Sequence, residues 1–560
     1  MLDDYKRAVI RESQVSADTN FWSSHRPILD KMLTIEAVGP FQVGNMVAAK
    51  RAGSSPSFCL VGEPLTIDGL NTDDQCLILT PQGAVFGKGA ISNTIFGKAI
   101  RTPTPPPANF YLYLCSTHVS SKSFDNIPDW PPANPFAKQA LQEQLSDIPE
   151  TYLNEPHPLD EASIRALQGA VADNPIFGIK GPPGTGKTSM LARVATYLAA
   201  EKGLKVLIAA KAHKAVDNAL LETAKYAKRR KFLIHRKTSR RADFETSGMP
   251  EAGVLLWRKD SELGKGGHIV GATIDSKLDG LAFDVIIVDE AGQVPMFVAS
   301  TLSGYGKRFI FFGDDAQLPP ILIAHHIGAA AYSAIQFILR KDSTNSYLVP
   351  LRVTHRLNRE ICSIVGEQFY EGIGLKPSVA NKDSRIIRVG DHHCGDEAMA
   401  KLVSISCKQS NTECPEEVDV AESLIEGLLE AHILVDGNER PLIADDIAVL
   451  TPYRAQARRL RSRLEALGVR KVGTVDIMQG QSVAVVIMCL TTTKVAHLST
   501  RSEWLFQPNR INVGISRAKA ACYFLANPQS INETNPSTIA GMENLEMMKC
   551  LIRRFSVGSR

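Results

Sequence analysis

Gly181-Pro182-Pro183-Gly184-Thr185-Gly186-Lys187-Thr188 satisfies the pattern G-x-x-x-x-G-K-[ST] at every fixed position. The apolar run Ile176-Phe177-Gly178-Ile179 ahead of it reads as a buried strand. Behind it, Leu191, Val194, Ala195 and Leu198 recur at helical spacing. Strand, glycine loop and helix are the context in which this pattern cradles phosphate. The glycines turn successive backbone N–H groups inward, and the helix N-terminus adds its positive dipole end. Lys187 then reaches the β- and γ-phosphates of ATP, and Thr188 ligates Mg²⁺. A chance glycine-rich turn would not bring both flanks with it.

Outward from the loop, Val285-Ile286-Ile287-Val288-Asp289-Glu290 reads as a buried strand ending in two carboxylates. Asp289 at such a strand end can hold Mg²⁺ through its water shell, and Glu290 can take a proton from an attacking water. A third strand, Phe309-Ile310-Phe311-Phe312, leads to Gly313-Asp314-Asp315-Ala316-Gln317-Leu318-Pro319-Pro320, where Gln317 is a candidate γ-phosphate sensor.

The bulk properties set the frame. At 560 residues the chain is too long for one core. With 44% hydrophobic and 22% charged residues it has the composition of a soluble globular protein. A net charge of +4 identifies no partner by itself. The ten cysteines include no C-x-x-C pair, which argues against a disulfide framework and for a reducing, cytoplasmic compartment. His392, His393, Cys394, Cys407 and Cys414 cluster in sequence, but not at a zinc spacing. Met1-Leu2-Asp3-Asp4 places acids where a leader needs bases. No run approaches eighteen apolar residues, so no membrane span is expected.

Residues 1–150 read as an accessory region. Residues 1–35 have a polar, helical texture. From about residue 40, short apolar runs such as Phe58–Val61, Cys76–Leu79 and Phe110–Leu114 alternate with turn residues, the spacing of a small β-barrel or meander. Arg101–Pro107 reads as a stiff, extended connector, and a second proline cluster at 128–135 precedes a helical segment over 136–145.

With these residues in view, the chain resembles a superfamily 1 helicase, of the group containing the nonsense-mediated-decay RNA helicase and the Okazaki-fragment nuclease–helicase. The loop at 181–188 matches that group's first motif letter for letter. Asp289-Glu290-Ala291-Gly292-Gln293 and the Gly313–Pro320 stretch resemble its second and third. Thr354-His355-Arg356-Leu357-Asn358, Thr451-Pro452-Tyr453-Arg454-Ala455-Gln456, Thr474-Val475-Asp476-Ile477-Met478-Gln479-Gly480 and Asn512-Val513-Gly514-Ile515-Ser516-Arg517-Ala518-Lys519 follow in the family's order. Ser482 stands where the family has a glutamate, and His355 where it has a tyrosine that stacks on the base.

The resemblance implies an α/β fold of two RecA-like P-loop domains with parallel sheets, behind an N-terminal helix and β-barrel region. Residues 151–345 form the first domain, with a basic insert at about 225–265, and residues 346–560 the second. It also implies that Gln168 reads adenine and that Arg356 and Arg517 reach the γ-phosphate from the second domain. Gln479 and Gly480 would lie at the interface. An arginine supplied from another body stabilises charge on the γ-oxygens and gains roughly 10³–10⁵ in rate. Domain closure on ATP then becomes a stroke.

The densest basic run, from Lys225 to Arg241, includes Arg229, Arg230 and Lys231 and contains no acid, making it a candidate phosphate contact on a nucleic-acid track. The resemblance adds Ala210, His213 and Thr273 on the first domain and Pro452, Tyr453 and Arg454 on the second, with Tyr453 able to stack on a base. The expected function is an ATP-dependent, Mg²⁺-requiring helicase or translocase on single-stranded DNA or RNA, with 5′→3′ polarity implied by the resemblance. The rivals are a nucleic-acid-stimulated ATPase that remodels nucleoprotein without unwinding, and a nucleotide-switched scaffold within a larger protein assembly.

Overall fold

A computed structural model describes the backbone of seven strands between Val38 and Leu114. It also describes most of residues 148–557, apart from 155–157, 228–231, 258–265, 279, 307, 321–331, 342–346, 388–398 and 479–480. The helices expected within 1–35 and 136–145 lie outside the described residues.

The seven strands form one antiparallel sheet whose two edge strands, Val38–Gln42 and Met46–Ala49, are consecutive in the chain. Laid flat, seven strands at the usual spacing would hold those edges about 29 Å apart. The chain from Gln42 to Met46 can reach only about 14 Å. The sheet must therefore curl until the linked ends of its two edge strands come within that distance.

The first α/β domain is an eight-stranded, wholly parallel sheet. Its order is 255–256, 233–236, 268–273, 205–210, 285–288, 309–313, 176–180 and 348–350. Parallel sheets carry helices on both faces, so their central strands are apolar throughout rather than alternating. Val285–Val288 and Phe309–Gly313 follow this rule, with every residue buried. The helix Lys187–Ala200 is buried from Met190 to Ala199, which fixes the phosphate loop at the sheet's carboxyl edge.

Two details depart from the sequence reading. The strand Leu348–Pro350, placed beyond the 345/346 boundary, pairs in parallel with Gly178–Lys180, so the crossing to the second domain follows Leu351. Leu233–Arg236, placed in a basic insert, is a strand of the main sheet, in register with His268–Gly271.

The second domain is a five-stranded parallel sheet in the order 400–404, 518–526, 483–489, 447–450, 471–473. Val483–Cys489 is entirely buried and Ala518–Ala526 nearly so. A small antiparallel sheet of 385–387, 432–435 and 438–441 flanks it. Asp436 and Gly437, both at positive φ, turn its hairpin. Among the described residues no helix is long and apolar enough to cross a membrane.

Candidate nucleotide cleft

The phosphate loop leaves the strand Ile176–Lys180 and enters its helix through Gly184 and Gly186, at φ 74° and 77°. Gly184 has a second reason to be glycine. A Cβ there would lie 2.4 Å from Arg356 Cβ of the second domain. Thr354 Oγ1 donates to Pro183 O at 2.8 Å, and His355 N to Gly184 O at 2.7 Å. The second domain thus rests directly on the loop, and Arg356 follows from that seating.

Lys187 Nζ lies 3.2 Å from Glu290 Oε2. Burial works against the Lys187 charge, but Glu290 and Asp289 outweigh it and hold the ammonium above its usual range. Burial likewise works to raise the Glu290 carboxyl, and Lys187, with Arg517 and Arg356 beyond it, carries it below the usual value. Asp289, 3% exposed, is pushed up to about 7 by burial and by the Glu290 charge. Its Oδ1 accepts from Glu290 N at 2.8 Å, which supports Glu290 in the left-handed conformation at φ 52°. Gly292 is also required here, because a Cβ would lie 2.2 Å from Asp314 O.

Arg517 Nη2 donates to Gln317 Oε1 at 3.2 Å and Nη1 to Gln481 O at 3.2 Å. Arg356 Nη1 donates to Ser516 O at 3.3 Å. Burial, then the like charge of Arg517, pushes Arg356 down to about 9. Arg517 Nε is buried with no hydrogen-bond partner among the described residues. The Arg517 guanidinium, 3% exposed with its Nε unpaired, the half-buried Arg356 guanidinium and the Lys187 ammonium gather beside the loop. That donor set fits a polyphosphate. The buried Asp289 carboxylate, destabilised as an anion where it stands, suits a divalent cation, and Thr188 is the second residue of the helix Lys187–Ala200.

Sequence reading missed the residues that join the two halves. Asp314 Oδ2 accepts from Gln317 Nε2 at 2.7 Å and from Tyr370 Oη at 2.6 Å. Tyr370 Oη accepts in turn from Asn512 Nδ2 at 2.8 Å. Asn509 also donates to the carbonyls of Asp315 and Gln317. The motifs that hold Asp314 and Asn512 were visible; their joining through Tyr370 was not.

Other expected residues fall elsewhere. Gln168 is 1% exposed inside the helix Glu161–Val171, which packs beside the phosphate-loop helix. Gln479, Gly480, Arg229, Arg230, Lys231, His392, His393 and Cys394 lie outside the described residues. Ala210 and Thr273 are partners across neighbouring strands at the carboxyl edge of the first sheet. His213 begins the next helix, 3.0 Å from Arg236 Nη2. Arg236 itself is a correction to the basic run: it is 1% exposed, with Nε 2.6 Å from Asp217 Oδ1. Lys225, Arg240 and Arg241 pair with Glu222, Asp243 and Glu245.

Pro452, Tyr453 and Arg454 follow the strand Ile447–Leu450 at the carboxyl edge of the second sheet. Tyr453 Oη accepts from Thr492 Oγ1 at 3.1 Å, and its ring packs on Trp504 with centroids 5.4 Å apart. Behind this loop Thr491, at φ 68°, is pinned by the buried Glu417, which accepts from its N–H at 2.7 Å and its hydroxyl at 2.9 Å.

A phosphate loop on one RecA-like sheet, closed by two arginines from another, defines a tandem P-loop protein. Two family models, each described as an AAA domain, match residues 158–247 and 332–529. The DNA replication ATP-dependent helicase/nuclease DNA2 of Mus musculus is 26% identical over 420 residues, covering 70% of this chain and 39% of that protein. Its Homo sapiens counterpart is 26% identical over 463 residues, covering 76% and 42%. The DNA-binding protein SMUBP-2 of Mesocricetus auratus is 26% identical over 450 residues, covering 67% and 43%. A solved arterivirus nonstructural protein 10 (helicase) aligns over 91% of this chain and 83% of its own, at 13% identity and a TM-score of 0.38, and nothing rests on it. The two matched domains and these relatives support a superfamily 1 helicase resembling DNA2 and SMUBP-2. The chain spans about two fifths of the length of these curated relatives.

Proposed function

We propose that the protein is an ATP-hydrolysing motor that moves along single-stranded nucleic acid and separates duplexes ahead of it. The observation that carries this reading is the approach of Arg356 and Arg517, from the second domain, to Glu290 and the phosphate loop of the first. An arginine that reaches the nucleotide only when two domains meet ties hydrolysis to their relative movement. A scaffold that merely switches on binding has no use for a carboxylate, a sensor glutamine and two arginines around one γ-phosphate.

In this reading Lys187 and the loop N–H groups hold the phosphates, and Glu290 takes the proton from the attacking water. Gln317 orients that water, and Arg356 and Arg517 neutralise the developing charge. Thr188 and Asp289 would hold Mg²⁺, which would supply charge neutralisation on the β- and γ-oxygens. His355 would stand on the base side of the cleft, and Gln479 and Gly480 are the candidates for its link to the strand. The track runs over the carboxyl edges of both sheets, where Ala210, Thr273, Pro452 and Tyr453 stand, with 5′→3′ polarity and a nucleoprotein or larger assembly as the setting. The described cysteines are free thiols, which supports a reducing, cytoplasmic compartment.

ATP turnover measured with single-stranded DNA, single-stranded RNA or neither tests the proposal. Stimulation by one of the strands is expected and names the track. Turnover indifferent to both overturns the motor reading.

A further inference from the structure

The arginines are not the second domain's only reach into the first. Tyr370, 2% exposed, ends the helix Arg359–Phe369 and passes its hydroxyl to Asp314 of the first domain, itself 2% exposed. Burial, then the Asp314 charge, holds the phenol well above its usual range, so Tyr370 keeps its proton and donates it. Asp314 then holds Gln317 Nε2, and Gln317 presents Oε1 to Arg517. The orientation of that amide is forced. A carboxylate only accepts and a guanidinium only donates, so NH₂ must face Asp314 and oxygen must face Arg517.

The chain of contacts is a closed ring. From Arg517 it runs through Gln317, Asp314 and Tyr370 to Asn512, and Asn512 lies on Pro508–Ile515, the helix that leads back to Arg517. It crosses the domain boundary twice. Asn512 also donates to Ala316 O at 2.6 Å, clamping the loop that carries Gln317. The same ring that fixes the glutamine therefore reports whether the second domain is seated.

We infer that Tyr370 is a positioning residue for hydrolysis. Through Asp314 it holds Gln317 in the orientation a γ-phosphate sensor needs, and it does so only when the two domains are in contact. This rests on the reading of the cleft as an ATPase site. A phenol on the second domain then gates the sensor, as the arginines supply the charge, so both respond to one movement.

The test is a cycle on the full chain, with strand-stimulated ATP turnover read as kcat and KM. Tyr370→Phe removes one hydroxyl and should lower kcat about tenfold, the effect of one buried hydrogen bond to a charged group, with KM for ATP changed less than about twofold. In a Gln317→Ala background, adding Tyr370→Phe should change kcat less than about twofold, because the residue it orients is gone. Asp314→Asn should show the same dependence on Gln317, and serves if Tyr370→Phe does not fold. An equal loss of kcat in both backgrounds, or no loss in the single variant, overturns the inference alone. Absence of turnover in the unmodified chain overturns the reading of the cleft, and this inference with it.

Discussion

Lys187 and Glu290 face one another at 3.2 Å, so the residue proposed to bind phosphate and the residue proposed to take the water's proton are paired with each other across the cleft. Each shifts the other's titration: the ammonium upward, the carboxyl downward. Entry of a triphosphate would exchange this pair for a phosphate–lysine pair and free Glu290 for the water. Lys187→Ala should abolish both ATP binding and turnover. Glu290→Gln should lose turnover by more than about 10²-fold while retaining ATP binding. Undiminished turnover in Glu290→Gln, with binding measured by calorimetry alongside, would sink its assignment as base.

The arginines predict a different pattern. Arg517→Ala should lower turnover by roughly 10³–10⁵ with nucleotide still bound. Arg517→Lys should not restore it, because Arg517 uses two guanidinium nitrogens at once, on Gln317 and on the Gln481 carbonyl. A lysine variant with ordinary single-turnover rates would count against a role for that geometry.

The basic run divides into two experiments. Replacing Arg229, Arg230 and Lys231 with alanine should weaken strand binding and reduce the slope of log affinity against log salt by about 2, the value for three single-strand phosphate contacts. An unchanged slope would leave those residues as a solvated face. Arg236→Ala should instead destabilise the first domain by about 3–5 kcal/mol, because it leaves Asp217 without its buried partner. Urea unfolding measures that loss directly.

Glu417 gives a pH prediction. Burial raises its carboxyl from the ordinary 4.5 to about 7, against the hydrogen bonds from Thr491 and Gln456 that favour the charge. The folded chain therefore holds this proton more tightly than the unfolded chain. The resulting stability is fully present below about pH 4.5 and is lost as pH rises to about 7. Glu417→Gln removes the titration, so its melting temperature should gain on the unmodified chain between pH 5 and pH 8. Parallel melting curves across that range would show that Glu417 does not titrate there.

Much of the nucleotide half was legible in the sequence, because its signals are local. A glycine loop between an apolar strand and a helix, or four apolar residues ending in two acids, carries its meaning within about ten residues. What escaped was set by distance along the chain. Arg236 reads as one base among many until Asp217, nineteen positions earlier, folds against it. Leu348–Pro350 is too short a run to be assigned to a sheet without its partner at Gly178–Lys180. Asp314 and Tyr370 are 56 positions apart and on different domains, so neither residue's surroundings announce the other. The curl of the N-terminal sheet was the opposite case: three of its seven strands were named from the sequence, and the strand order then required the sheet to bend.

The missing side chain at Gly184 has a kinetic meaning. Arg356 Cβ fills the place where a Cβ would stand, and Thr354 and His355 stitch the adjoining segment to the loop's own carbonyls. Anything bound in the loop sits behind that seam and leaves only when the seam parts. The dwell time of spent nucleotide would then be set by two hydrogen bonds directed at the loop's carbonyls, and substitution of Thr354 should change how long each cycle pauses without touching the bond that is broken.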